Sequence, residues 1–205
     1  MTRRYDLRIV NAIIADGSGG TPYRGDIGII DGKLAAVGVA PGTAATTLDA
    51  GGHVAAPGFI DIHTHYDAQV IWDRMLTISP WHGVTTVVMG NCGFSLAPTR
   101  PEHRDMMIRT LESVEGMTVS ALQAIESRGT AINVAAMIGH TALRTYVMGE
   151  EATEREASAV EVAQMRELVG EAMRAGALGF ATSKAVTHVG YGGKPVPSRA
   201  ASFDE

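Results

Sequence analysis

Cysteine occurs once in the 205 residues, at Cys92, so no intrachain disulfide can form, and that usage fits a reducing compartment. Aromatic residues make up only 5%, which leaves the cores to alanine, valine, isoleucine and methionine. Neither sign of charge dominates: 17 Lys+Arg stand against 22 Asp+Glu, a formal net charge of -5. Such a mildly acidic chain lacks the basic footprint of a nucleic-acid binder. No apolar run approaches the ~18 residues of a membrane span, and no apolar stretch comes after Arg3-Arg4 to make a secretory leader. These absences predict a cytoplasmic globular chain with neither nucleic acid nor membrane as a partner.

Glycine is plentiful, at 24 residues, and it marks the turns. Residues 1–56 read as all-β, with short alternating runs such as Leu7 to Asn11 between glycine-rich breaks. Asp31-Gly32 lies between Ile27-Gly28-Ile29-Ile30 and Lys33-Leu34-Ala35-Ala36-Val37. An Asp-Gly pair accepts the two positive φ angles of a type I′ turn, so a hairpin is predicted there. From Pro57-Gly58 onward the pattern alternates strand and helix, and residues 57–205 form a second region.

Strands are predicted at Phe59 to His63, Val84 to Met89, Ile132 to Ile138 and Ala177 to Ala181. Helical periodicity falls on Met107, Leu111 and Val114, and again on Met165, Leu168, Val169, Ala172 and Met173. A short extra helix is expected from Ser120 to Glu126, ended by Gly129. Thr153 with Glu156 reads as a capping box for the later helix, and Gly176 as its stop. This order implies a parallel sheet, either open and doubly wound or part of a (β/α)8 barrel. The first strand does not lead into a glycine-rich dinucleotide turn.

It leads into a pair of histidines instead. Asp61, His63 and His65 lie at i, i+2 and i+4, a spacing that puts all three on one face of a strand. Two imidazoles at a strand's carboxyl end supply two ligands of a metal site, or simply face solvent. Cys92, in Gly90-Asn91-Cys92-Gly93, comes just past the next strand. A lone cysteine is usually a small buried hydrophobe. In a loop flanked by glycines, beside a His-x-His pair, metal ligation becomes the stronger reading. His140 comes after the third strand and reads as a ligand, a support of the ligands or a substrate contact. Lys184 and His188 come after the fourth, where Lys184 reads first as a solvated loop side chain since Cys92 can already bridge. Asp67 and Asp73 read as helix-entry and surface carboxylates, and Trp72 and Trp81 as core or pocket wall. His53, His82 and His103 read as structural.

Taken together, these residues resemble the metal-dependent amidohydrolase superfamily, and within it the N-acyl-D-amino-acid deacylases. The resemblance runs through Ile29-Ile30-Asp31-Gly32-Lys33, Pro57-Gly58-Phe59-Ile60-Asp61-Ile62-His63-Thr64-His65, and His82-Gly83-Val84-Thr85-Thr86 leading to Gly90-Asn91-Cys92-Gly93. It continues in Gly139-His140-Thr141-Ala142-Leu143-Arg144 and Ala175-Gly176-Ala177-Leu178-Gly179. It implies an α/β fold: a small β-sandwich part over residues 1–56, then the first four βα units of a TIM-type barrel over residues 57–205. It implies one or two zinc ions, with His63 and His65 as ligands and Cys92 ligating or bridging. Asp61, His140, Lys184 and His188 are expected around them.

The implied reaction is hydrolysis of a linear amide in a small N-acyl amino acid, a zinc-bound hydroxide attacking the carbonyl. The family's later histidine ligands and its catalytic aspartate are expected beyond residue 205, so this chain is expected to be a fragment inactive by itself. Its oligomeric state is left open. Where the family carries Ser-Thr-Gly-Leu-x-Tyr, this chain reads Ala181-Thr182-Ser183-Lys184-Ala185-Val186. That departure bears on the substrate and not on the metal chemistry. A hydantoinase-like cyclic-amide hydrolase, using a carbamylated Lys184, is the alternative within enzymes. A non-catalytic partial barrel is the alternative outside them.

Overall fold

An Asp-Gly pair sets the first hairpin. In the computed structural model, which describes residues 3–67, 69–95, 98–103 and 129–205, Asp31 and Gly32 take φ of 50° and 70°. They join β2 (Tyr23–Ile30) to β3 (Lys33–Gly38) as an antiparallel pair. β1 (Arg4–Ile14) lies against β2 and also pairs in parallel with β4 (Thr43–Asp49) and the short β5 (Val54–Ala55). The result is a five-stranded mixed sheet in the order β3-β2-β1-β4, with β5 on β1.

Asn11 breaks the ladder between Ile9 and Ala12, with φ of 58°. Two aspartates hold this bulge. Asn11 donates its backbone N–H to Asp26 (3.2 Å) and its amide to Asp49 (3.0 Å). One face of the sheet carries Ile9, Ile27, Ile29, Leu34, Val37 and Leu48 around a groove of about 800 Å³.

The chain divides into two compact units, Met1–Gly58 and Phe59–Glu205. The second holds a wholly parallel sheet, β6 (Phe59–Asp61), β7 (Val84–Met89), β8 (Asn133–Gly139) and β9 (Gly179–Ala181), in sequential order. Two helices are described in it, α1 (His140–Met148) and α2 (Ala159–Arg174). The helical periodicity over 107–114 and the short helix expected from Ser120 to Glu126 lie outside the described residues.

Val70, Leu76, Val87, Phe94 and Val196 form one core cluster, while Ile138, Leu143 and Met165 form another between sheet and helices. Each such side chain contributes about 1.5–3 kcal/mol by leaving water. Met165, Leu168, Val169 and Ala172 pack there as their spacing implied, but Met173 is exposed at the helix end. Trp72 and Trp81, expected in a core or pocket wall, are 58% and 74% exposed.

Helix α2 begins later than the sequence pattern placed it. Thr153 ends a short 3-10 turn and donates to the Glu150 carbonyl, so it is not free to cap. A second box five residues on does the work. Ser158 accepts the Glu161 N–H, and Glu161 accepts the Ser158 N–H at 2.7 Å. Arg155 grips the same carboxylate at 2.8 and 2.9 Å. Arg155 first, then Ser158, holds the Glu161 carboxyl down to about 2. Replacing Ser158 with alanine is expected to cost about 1 kcal/mol in a denaturant melt, as the loss of a cap usually does. Gly176, with φ of 106°, closes the helix where a stop glycine was expected.

Candidate metal centre

The first strand is shorter than its apolar run. Asp61 ends it, because its carboxylate accepts the His63 N–H at 3.2 Å and turns the backbone out of the ladder. Three residues on from Asp61, Thr64 catches the neighbouring strand: its N–H and its hydroxyl both donate to the Val88 carbonyl, at 3.1 and 2.7 Å. Thr64 is therefore buried, and the alternation carries His63 and His65 to the other side, exposed. Their rings lie 5.4 Å apart, tilted at 54°. The two histidines share a face as their spacing implied, although the strand itself does not reach them.

The loop after β7 brings in the third group. Cys92 sits in the left-handed region at φ 56°, ψ 17°, a conformation that costs a non-glycine residue about 1–3 kcal/mol unless its surroundings impose it. Here they do. Gly90 lies so close to β8 that a Cβ would stand 2.3 Å from the Met137 carbonyl oxygen. The buried Asn91 donates its amide to the Thr64 and Val88 carbonyls at 3.2 and 2.8 Å. Asp67 accepts the Gly90 N–H at 3.1 Å.

Asp67 was expected as a helix-entry or surface carboxylate. It comes just before a 3-10 turn (Gln69–Ile71) but is 1% exposed, its carboxylate taken by the cysteine loop. Asp73 likewise anchors a turn, accepting the Met75 and Thr77 N–H groups at 2.9 and 2.6 Å. Thr64 and Asn91, which with Asp67 tie the histidine segment to the cysteine loop, were not singled out from the sequence. The only signal for any of them was the pair of glycines bracketing Asn91 and Cys92.

The outcome is a cluster. Cys92 Sγ lies 3.4 Å from His63 Nε2 and 3.8 Å from His65 Nε2. One donor atom from each of the three residues falls within 4.8 Å of the others, the one such group of His, Cys, Asp and Glu among the described residues. A tetrahedral zinc with usual bond lengths separates a thiolate sulfur from an imidazole nitrogen by about 3.6 Å. The two observed separations straddle that value, so a borderline-soft cation suits both the spacing and the mixed N/S donor set. All three residues come after the C-terminal ends of adjacent parallel strands, where α/β folds build their sites.

His140, Lys184 and His188 come after the ends of the next two strands, β8 and β9, and are not in the cluster. His140 is buried, its Nδ1 2.8 Å from the Thr182 hydroxyl and its Nε2 3.3 Å from Glu205. Glu205 also pairs with Arg144, whose side chain is wholly buried and donates to the Ala152 and Arg155 carbonyls. Lys184 donates to the Ala201 carbonyl and lies 5.5 Å over the Phe203 ring. His188 meets Phe94 edge-on at 5.4 Å.

Burial pushes the His140 imidazole below its ordinary value, against the opposing pull of Glu205. Burial alone would raise the Glu205 carboxyl, but Arg144 outweighs it and holds the group below its ordinary value. Both shifts act in one direction on stability. As pH falls past about 6.5, the unfolded chain protonates its histidine before the fold does, and the same holds for the glutamate further down. The melting temperature of the metal-free chain is expected to fall between about pH 7.5 and about pH 5. His140→Asn should flatten the upper part of that slope, and a melt independent of pH there would contradict the assignment of a neutral His140.

The fold and this cluster agree with what the sequence is similar to. Residues 46–200 match the model of the Amidohydrolase family, and the chain belongs to that family. It is 38% identical over 185 residues to a D-aminoacylase of Alcaligenes xylosoxydans xylosoxydans, an alignment covering 87% of this chain and 37% of that protein. It superposes with a TM-score of 0.77 on the N-acyl-D-glutamate deacylase of Bordetella bronchiseptica, a structure complexed with zinc and a phosphonate inhibitor. That match is 34% identical and covers 93% of this chain and 40% of the other. A D-aminoacylase structure concerned with a binuclear metal centre gives a TM-score of 0.73 at 31% identity, over 98% of this chain and 41% of that one. The chain thus spans well under half the length of these relatives. No described helix is long and apolar enough to cross a membrane.

Proposed function

We propose that the chain is the leading part of a zinc-dependent hydrolase acting on the amide bond of N-acyl-D-amino acids. In this reading residues 57–205 form the first four βα units of a (β/α)8 barrel, and residues 1–56 part of a β-sandwich. The observation that carries it is the convergence of His63, His65 and Cys92 within 4.8 Å past parallel strand ends. Similarity to a zinc-containing N-acyl-D-glutamate deacylase and to a D-aminoacylase with a binuclear centre supports one or two zinc ions and this substrate class. The apolar face around Ile27, Ile29 and Leu48 supports the sandwich, as a sheet face that a second layer would cover.

His63, His65 and Cys92 hold the metal. Zinc bound there supplies a Lewis acid and makes water easier to deprotonate near neutral pH. Asp61 fixes the His63 backbone, and Asp67 and Asn91 fix the cysteine loop. His140, Lys184 and His188 stand past the neighbouring strands, on the side where substrate approaches. Departure of the amine needs a proton, which a carboxylate delivers. Among the described residues no carboxylate joins the cluster. The chain's 37–40% share of its relatives' length supports assigning that role to an aspartate beyond residue 205 and expecting no turnover from the chain alone.

Lys184 donates to a backbone carbonyl while Cys92 faces both histidines. That arrangement favours the linear-amide reading over a cyclic-amide hydrolase bridged by a carbamylated lysine. The test is an assay of the protein captured from its source through an epitope of this chain. Zinc-dependent release of acetate from N-acetyl-D-amino acids, with none from the chain alone, is expected. Turnover of hydantoins instead, or no turnover of either, would overturn the reading.

A further inference from the structure

Cys92 keeps an unfavourable backbone, and the contacts that impose it extend beyond its own loop. Gly93 packs against the segment after β9: a Cβ there would meet Thr182 Cα at 3.2 Å, the Ala181 carbonyl oxygen at 3.4 Å and Ser183 N at 3.5 Å. On its other side Gly93 meets the start of α1, where a Cβ on Gly139 would stand 2.4 Å from the Gly93 carbonyl oxygen. The Gly139 N–H also donates to Ser95 at 3.0 Å. The cysteine loop is wedged between two strand ends.

Two side chains in the first turn of α1 grip the segment on the far side of that wedge. Glu205 is paired with Arg144 and is an acceptor only, so His140 presents Nε2–H to it and leaves Nδ1 to accept the Thr182 hydroxyl at 2.8 Å. The adjacent Thr141 donates to Ser198 at 3.2 Å, and Ser198 donates to the Ser183 carbonyl at 2.8 Å. Thr141 and Ser198 are 1% and 0% exposed. Residues 182 and 183 are therefore held from two neighbouring positions of one helix turn, with a buried ion pair fixing the orientation of the first.

We propose that this turn of α1, with Glu205 and Arg144 behind it, positions Cys92: through Thr182 and Ser183 it presses on Gly93 and keeps the cysteine in the left-handed backbone that turns its sulfur to the histidines. His140 and Thr182 are thus positioning residues for the metal centre, not ligands of it. The inference rests on the metal reading above, and its test separates the two.

The test is titration of the metal-free 205-residue chain with cobalt(II), following the thiolate-to-cobalt charge-transfer band in the near ultraviolet alongside a thermal melt. Thr182→Val keeps the shape of the side chain and removes the hydroxyl. It is expected to weaken cobalt binding about 10–100-fold, the usual effect of losing a group that supports a ligand, with a reduced sulfur band and a melt close to the unmodified chain's. Thr182→Ser should restore both binding and band. Ser198→Ala removes the second grip and should act in the same direction. If the unmodified chain shows the band and Thr182→Val binds cobalt equally well with the same band, the positioning role is wrong and the metal site stands. If the unmodified chain gives no sulfur band at all, cysteine ligation fails and the positioning role fails with it.

Discussion

Replacing Cys92 with alanine is expected to lower the zinc affinity of this chain about 100-fold or more. A supporting group already accounts for about 10–100-fold, and here a thiolate ligand itself is lost. Two exposed imidazoles would remain, held 5.4 Å apart between ring centres, and such a pair is a weak and poorly selective site. Fold stability should hardly change, because Cys92 is only half-buried and contributes one small side chain to the cluster around Val87 and Phe94. Cys92→Gly separates ligand loss from backbone strain. It removes the sulfur while accepting φ of 56° without penalty. The glycine variant is therefore expected to melt at or above the alanine variant yet bind zinc no better. Equilibrium dialysis with a competing chelator measures the affinities. Equal zinc affinity in Cys92→Ala and the unmodified chain would remove the thiolate from the site.

The largest stability effect is expected at Arg144. Its side chain is wholly buried, and Glu205 beside it is 1% exposed. Replacing Arg144 with methionine strands a buried carboxylate, and breaking such a pair from one side costs about 3–5 kcal/mol. In a chain of this size that corresponds to a melting temperature lower by about 10 °C. Arg144 also donates to the Ala152 and Arg155 carbonyls, so the short turn before α2 should loosen as well. Removing Glu205 in the same chain should recover part of the loss, because the stranded charge goes with it. The lost carbonyl contacts would not return. A double-mutant cycle on melting temperature measures the coupling, and additivity of the two single losses would contradict a buried pair.

The sequence showed the parts that depend on local geometry. Asp31-Gly32 can hardly be anything but a tight hairpin, and the short β-branched and apolar runs at Val84 to Met89 and Ile132 to Ile138 located two central parallel strands to within a residue. His63, His65 and Cys92 were legible because each comes after a strand end, and in a parallel sheet those ends lie side by side. The features that escaped were set by distant partners. Asp67 is buried because the Gly90 N–H needs an acceptor, 23 positions away. His140 faces Glu205, 65 positions away. Neither spacing has a period that a sequence pattern can show. The start of α2 was misplaced for a different reason: Thr153-Glu156 and Ser158-Glu161 fit the same capping pattern, and only the 3-10 turn that occupies Thr153 decides between them. Trp72 and Trp81 were expected inside on hydrophobicity alone, which says little about one large side chain in a loop.

X-ray absorption at the zinc edge of the loaded chain tests most directly whether a thiolate and two imidazoles of this chain hold one zinc ion. One sulfur scatterer at about 2.3 Å with two imidazole nitrogens at about 2.0–2.1 Å is expected, the remaining positions being filled by light atoms. A first shell of nitrogen and oxygen alone, unchanged in Cys92→Ala, would contradict it.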